Sequence, residues 1–148
     1  VRVIIMRHLL DVNVWIALFA EEHVHHGMAR DFLADSDVKL ATCPLVESGV
    51  LRVMNSPAVL GSQITDFEAT REALMRVYSS RDVLFWDDVP SLVRTQAVAW
   101  RNVTGYRQIT DLQLLSLAVA HDAAFTTFDQ RVSLRAVHGA EPRHLRVL

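Results

Sequence analysis

Four carboxylates could act together, and two of them, Asp11 and Glu47, have apolar neighbours that make an acid costly. Asp11 lies in Leu9-Leu10-Asp11-Val12-Asn13, and Glu47 in Pro44-Leu45-Val46-Glu47. Asp111 opens Asp111-Leu112, and Asp129 closes Thr126-Thr127-Phe128-Asp129. A charge in such surroundings is unfavourable unless something compensates it. Mg²⁺ would do so, with Mn²⁺ as a substitute, because hard divalent ions take oxygen ligands and keep waters and phosphate oxygens in their shell. Such an ion activates water and stabilises charge at a phosphodiester undergoing in-line attack. Each acid also has an ordinary structural explanation. Asp11 can cap a following helix, Glu47 and Asp111 can complement helix N-termini, and Asp129 can cap a helix leading to Leu134. What favours chemistry is the layout of all four together.

That layout depends on the elements that carry them. Short apolar runs read as strands: His8–Asp11, Lys39–Thr42, Val83–Trp86, Ala124–Thr127 and His144–Val147. Helical patterns lie between them. Val14–Ala20 and Val24–Ala34 are separated near Glu21–His23, and Pro44 opens a helix at its first position. Thr65–Tyr78 starts with a Thr65/Glu68 capping box. Ser91–Trp100 reads as another helix, and Thr110–His121 as a further one with Thr110 as its cap. Alternation of this kind predicts a three-layer α/β domain around a parallel sheet. Sites in such sheets form beyond the carboxyl ends of strands, at the switch point. Asp11 ends the first strand, Glu47 follows the second, Asp129 follows the fourth, and Asp111 starts a helix.

The 148 residues suit a single domain spanning 1–148, with residues 1–6 read as a leader outside the core. Val3-Ile4-Ile5 could instead extend the first strand. The single Cys43 provides no internal disulfide and no zinc site by itself. With no signal-peptide pattern and no apolar run long enough to span a bilayer, the expectation is a cytoplasmic protein without a membrane partner. The net charge of −2 lacks the global signature of nucleic-acid binding. Among the 15 basic residues only Lys39 is a lysine. Arginine suits phosphate recognition, although a compositional bias explains the skew as well.

Taken together, Leu10-Asp11-Val12-Asn13-Val14, Pro44-Leu45-Val46-Glu47 with Leu51-Arg52-Val53, Thr110-Asp111-Leu112 with Leu115 and Ala118, and Thr126-Thr127-Phe128-Asp129 resemble the PIN-domain proteins, specifically the VapC toxins of bacterial toxin–antitoxin pairs. The similarity runs from about Arg7 to the C-terminus. It implies a five-stranded parallel sheet, Mg²⁺-dependent endoribonuclease activity on RNA, inhibition by a VapB-type antitoxin and a homodimer. Matching positions put Asp11, Glu47, Asp111 and Asp129 in the catalytic and metal-binding roles. Asn13 and Thr127 match polar positions that orient ligands or water; turn or cap chemistry is their alternative. Leu112 and Gln113 depart from the small and aromatic residues frequent there, which bears on packing or substrate fit.

Other residues read less sharply. Arg52 is a phosphate contact from the pocket rim or one half of an ion pair. His23, His25 and His26 lack an acidic or cysteine partner at ligand spacing and read as a solvated helix start. Asp87 and Asp88 read as caps of the helix before Pro90 and Ser91. Trp15, Trp86 and Trp100 read as core or interface anchors. A PIN-fold binding module acting through antitoxin and operator complexes is the alternative to the enzyme. A phosphatase or phosphotransferase is weaker, because position 13 is Asn where a second Asp would be needed and no Gly-rich phosphate loop is present.

Overall fold

The computed structural model describes residues 5–59, 64 and 66–148. The parallel sheet has five strands: β1 Arg7–Leu10, β2 Lys39–Thr42, β3 Val83–Phe85, β4 Ala124–Thr127 and β5 Leu145–Val147. Their spatial order is β3-β2-β1-β4-β5, and every pairing is parallel. The chain builds outward from β1 through β2 and β3, then crosses to the other side of β1 to add β4 and β5. The switch point therefore lies between β1 and β4, where an open α/β sheet leaves a crevice at its carboxyl edge.

Helices α1 Val12–Phe19, α2 His26–Phe32, α3 Pro44–Met54, α4 Phe67–Ser80 and α5 Ile109–Ala120 complete the domain. Leu9, Leu10 and all of β4 are buried, as expected of central strands covered on both faces. In α5, Leu112, Leu114, Leu115, Leu117 and Ala118 are all buried. With apolar residues buried on most of its sides, α5 is an interior helix rather than a surface one.

At α3, Pro44 takes the first helical position, where its missing N–H is no loss. This helix lies very close to α1. A Cβ added to Gly49 would come within 2.5 Å of Val12 Cγ2. Glycine is therefore what allows the two helices carrying Asp11 and Glu47 at their starts to approach.

Several expected boundaries shift. No helix spans 91–100. One turn forms there, Thr95 N–H donating to Ser91 O at 2.8 Å. Thr95 Oγ1 then accepts from Ala97 N–H. Val98 bridges antiparallel to Val137, with Ala99 N–H donating to Ala136 O and His138 N–H to Ala97 O. Tertiary pairing of a β-branched segment overrides its helical spacing, and only a 3₁₀ turn at Trp100–Asn102 follows. Asp87 and Asp88 consequently cap nothing. Asp88 instead pairs with His121 at 2.9 Å, whose ring stacks on Trp86.

Helix α5 begins at Ile109, with Gln108 rather than Thr110 at the cap position. Asp129 caps no helix; a 3₁₀ turn covers Leu134–Ala136. Thr65 lies outside the described residues. Asp66 caps α4, accepting from Ala69 N–H at 2.7 Å. Val3 and Ile4 also lie outside the described residues, and Ile5 precedes β1 and is exposed. Trp15 and Trp86 are buried as expected, whereas Trp100 is half exposed.

Candidate active site

Asp11 follows β1 directly, and its N–H donates to Thr126 O of β4 at 2.8 Å. That bond fixes it at the β1–β4 switch point. Its carboxylate does two structural jobs. Oδ1 accepts from Val12 N–H at 2.7 Å, capping α1, and Oδ2 accepts from Thr127 Oγ1 at 2.7 Å. The side chain is almost fully buried. Burial pushes its carboxyl above the usual range; the Thr127 and Val12 hydrogen bonds oppose this, and Asp129 adds to it.

Thr127 links the group together. Its hydroxyl donates to Asp11 and accepts from Asp129 N–H at 3.0 Å and from Asn13 Nδ2 at 3.2 Å. Asn13 Oδ1 in turn accepts from Phe128 N–H at 3.4 Å. The two polar residues expected to orient the acids are joined to each other and, through Thr127, to Asp11 and Asp129.

Asp111 sits in the first turn of α5. This helix runs back into β4, so its start stands at the carboxyl edge. Its carboxyl is pushed up to about 7, first by burial and then by the charges of Asp11 and Asp129, with Arg131 opposing. Asp129 behaves oppositely. Arg131 donates to it from Nε at 3.1 Å, from a terminal nitrogen at 3.3 Å and from its backbone N–H at 2.9 Å. The Arg131 side-chain hydrogen bond holds Asp129 below the usual carboxylate range. A cleft of about 220 Å³ is lined by Asp111, Asp129, Arg107, Arg131 and the turn before α5.

Glu47 stands apart from this trio. Tyr78 Oη donates to Glu47 Oε2 at 2.9 Å, and Thr42 Oγ1 lies 3.2 Å from the same phenol oxygen. The half-buried phenol is pushed upward, first by desolvation and then by its contact with Glu47. Arg52 is exposed in the last turn of α3. Five positions after Glu47, it is turned about 140° around the helix from it.

Asp11, Asp111 and Asp129 therefore share an electrostatic environment at the switch point, while Glu47, in the first turn of α3, is held by Tyr78. Among the described residues, no three His, Cys, Asp or Glu side chains converge tightly enough to hold a metal as they stand. The donor set nevertheless suits a hard divalent cation. It is all oxygen, and the carboxyls of Asp11 and Asp111, raised first by burial and then by neighbouring carboxylates, are groups whose ionised form a bound cation would stabilise. The histidines are used elsewhere. His25 stacks on Phe128 with ring centroids 4.4 Å apart, and His26 Nδ1 lies 2.7 Å from Ala17 O.

Sequence reading passed over two partners of the acids. Arg131, two residues after Asp129, was visible as a local Asp-x-Arg pair. Tyr78 lies 31 residues from Glu47, and nothing local could have joined them.

A PIN domain family model matches residues 8–138. Ribonuclease VapC44 of Mycobacterium tuberculosis (strain ATCC 25618 / H37Rv) is 38% identical over 144 residues, covering 97% of this chain and 100% of that protein. Ribonuclease VapC38 of the same strain is 42% identical over 132 residues, covering 84% and 86% respectively. Among solved structures, VapBC2 from Rickettsia felis, crystallised with a DNA fragment from its promoter, matches with a TM-score of 0.51 at 17% identity, covering 84% of this chain and 89% of that one. At that identity the likeness is one of fold.

Proposed function

The chain belongs to the PIN-domain family, with VapC ribonucleases as close relatives, and from that premise we propose that it is an endoribonuclease toxin whose acids Asp11, Glu47, Asp111 and Asp129 hold Mg²⁺. The observation that carries this reading is geometric: Asp11 and the turn of Asp129 meet on the Thr127 hydroxyl at the β1–β4 switch point, and Asp111 lines one cleft with Asp129. Bound there, the ion would supply an activated water and stabilise charge at the phosphodiester, with Mn²⁺ able to replace it.

The chain's own residues prepare the site. Thr127 and Asn13 hold the Asp11 and Asp129 region in one arrangement. Tyr78 orients Glu47 from α4. Asp111, its carboxyl raised to about 7 by burial and by the charges of Asp11 and Asp129 while no metal is bound, must give up its proton to take a cation, so metal binding there is coupled to pH. Arg52, in the last turn of α3 and outside the lining of the acid cleft, is given no part in this reading.

A VapB-type antitoxin partner and a homodimer follow from the same family reading. The fold neighbour's own assembly with an antitoxin and promoter DNA supports the former. A basic antitoxin side chain entering the acid cleft would compensate its surplus negative charge. A complex with no basic group in contact with the four acids would refute that.

The test is cleavage of total bacterial RNA by purified protein in Mg²⁺, in Mn²⁺ and in EDTA, beside Asp11→Asn and Asp111→Asn. Discrete fragments that need metal and vanish in both variants are expected. Folded protein, free of antitoxin, that cleaves nothing would favour a binding module instead.

A further inference from the structure

The turn before α5 presents an aromatic ring and a guanidinium at the rim of the acid cleft. Gln108 Oε1 accepts from Thr104 N–H at 2.7 Å and Gly105 N–H at 2.8 Å, so a side chain pins the turn from within. Tyr106 stands at its tip, 81% exposed. Arg107 Nε donates to Tyr106 Oη at 3.3 Å, and its guanidinium carbon lies 5.7 Å from the ring centroid. Arg107 also lines the cleft, as does Arg131. The Arg131 side chain is 78% exposed, and its contacts to Asp129 use only Nε and one terminal nitrogen. Both guanidiniums keep most of their N–H donors for another acceptor.

A chain of net charge −2 must bring a polyanion up to a cluster of carboxylates. Local cations are needed there, and these two arginines supply them. An exposed tyrosine beside them adds a face on which any base can stack. A-form duplex keeps its bases stacked on one another, while single-stranded or looped RNA can splay one out.

We infer that Arg107 and Arg131 grip backbone phosphates at the cleft while Tyr106, on the turn before α5, stacks an unpaired base. This rests on the ribonuclease reading and deepens it.

Fluorescence anisotropy in EDTA tests the clamp without cleavage, using a labelled unstructured RNA strand and the duplex formed from it. A 2-aminopurine in the strand reports stacking directly. The single strand is expected to bind more tightly than the duplex. Tyr106→Ala should weaken single-strand binding about fivefold or more, abolish the 2-aminopurine quenching and leave duplex binding unchanged, and Tyr106→Phe should restore both signals. Arg107→Gln and Arg131→Gln should weaken both RNAs, each reducing the single-strand salt slope by about 0.7.

Unchanged single-strand affinity in Tyr106→Ala and Arg107→Gln would overturn the clamp and leave this turn as a surface facing protein. Equal losses for strand and duplex in Tyr106→Ala would overturn the stacking and with it the single-strand preference. Cleavage in Mg²⁺ is scored separately. Protein that binds as described but cleaves nothing keeps the clamp and loses the ribonuclease reading. Protein whose variants bind and cleave like wild type does the reverse.

Discussion

The Thr127 hydroxyl donates its one proton to Asp11 Oδ2 at 2.7 Å across a sequence separation of 116 residues. Its lone pairs are taken by Asn13 Nδ2 and the Asp129 N–H. A buried hydroxyl satisfied in this way fixes the Asp11 carboxylate and the turn carrying Asp129 at the same time, and it joins β4 to the start of α1.

Thr127→Val keeps the shape and removes that link. Asp11 would stay buried with one acceptor unpaired, costing about 1–3 kcal/mol. Urea denaturation should show the loss, and RNA cleavage should fall at least tenfold. Thr127→Ser, which restores the hydroxyl, should recover most of both. A Val variant with wild-type stability and activity would remove Thr127 from the site.

Asp111 gives the metal-free protein a pH dependence of unusual sign. Its folded carboxyl titrates at about 7, well above the ordinary 3.8. Between those values the folded state holds the proton more tightly than the unfolded state does. Stability from this group is therefore complete below about pH 4 and is lost as pH rises through 7. After allowance for solvent screening at a half-buried group, the loss is about 1–2 kcal/mol. In EDTA, Asp111→Asn should flatten this decline and be the more stable protein at pH 8. Thermal melts from pH 5 to 8 would show it, and parallel curves for the two proteins would contradict it.

Removal of divalent metal follows the same charge balance. Adding Mg²⁺ should raise the melting temperature more at pH 8 than at pH 5.5, because the carboxyls must be ionised to bind it. The increment should shrink in Asp111→Asn. An equal increment at both pH values would mean that the ion binds elsewhere.

Tyr78→Phe removes the hydrogen bond that orients Glu47 while retaining the ring packed edge-on against Trp15. Stability should fall by about 1 kcal/mol. Cleavage should fall severalfold, with the metal concentration for half-maximal activity shifted. An unchanged metal requirement would separate Tyr78 from the function of Glu47.

Gly49→Ala tests the approach of α1 and α3. The new methyl would meet Val12 Cγ2 at 2.5 Å, so overpacking should cost about 1–3 kcal/mol despite alanine's better helix propensity. The double variant with Val12→Ala should recover much of it. An additive double variant would place the strain elsewhere.

Much of this was legible in local pattern. The strand runs were found within a residue or so, because short apolar segments buried on both faces carry a strong local signature. Pro44 marked the start of α3 through its backbone chemistry alone. Asp11 and Glu47 stood out because each interrupts an apolar setting, Asp111 and Asp129 by their places at a helix start and a strand end, and the order of all four along the chain carried the family resemblance. The helix expected over Ser91–Trp100 failed where a partner distant in sequence, around Val137, claimed the backbone hydrogen bonds. Thr110 lost the cap position because the preceding turn, closed by Gln108, runs directly into α5.

By itself, the sequence determined most of the elements and the parallel α/β class, and it singled out four acids by their places at strand ends and a helix start, since periodicity, caps and burial cost act over a few residues. Only the tertiary structure decided which acids share a charge environment. Strand order brings Asp11 and Asp129 together at the β1–β4 switch point, the direction of α5 brings Asp111 to them, and Tyr78 turns Glu47 toward α4. Coulomb coupling and hydrogen bonding depend on distances of a few ångströms, and between residues dozens of positions apart only the folded chain sets those distances.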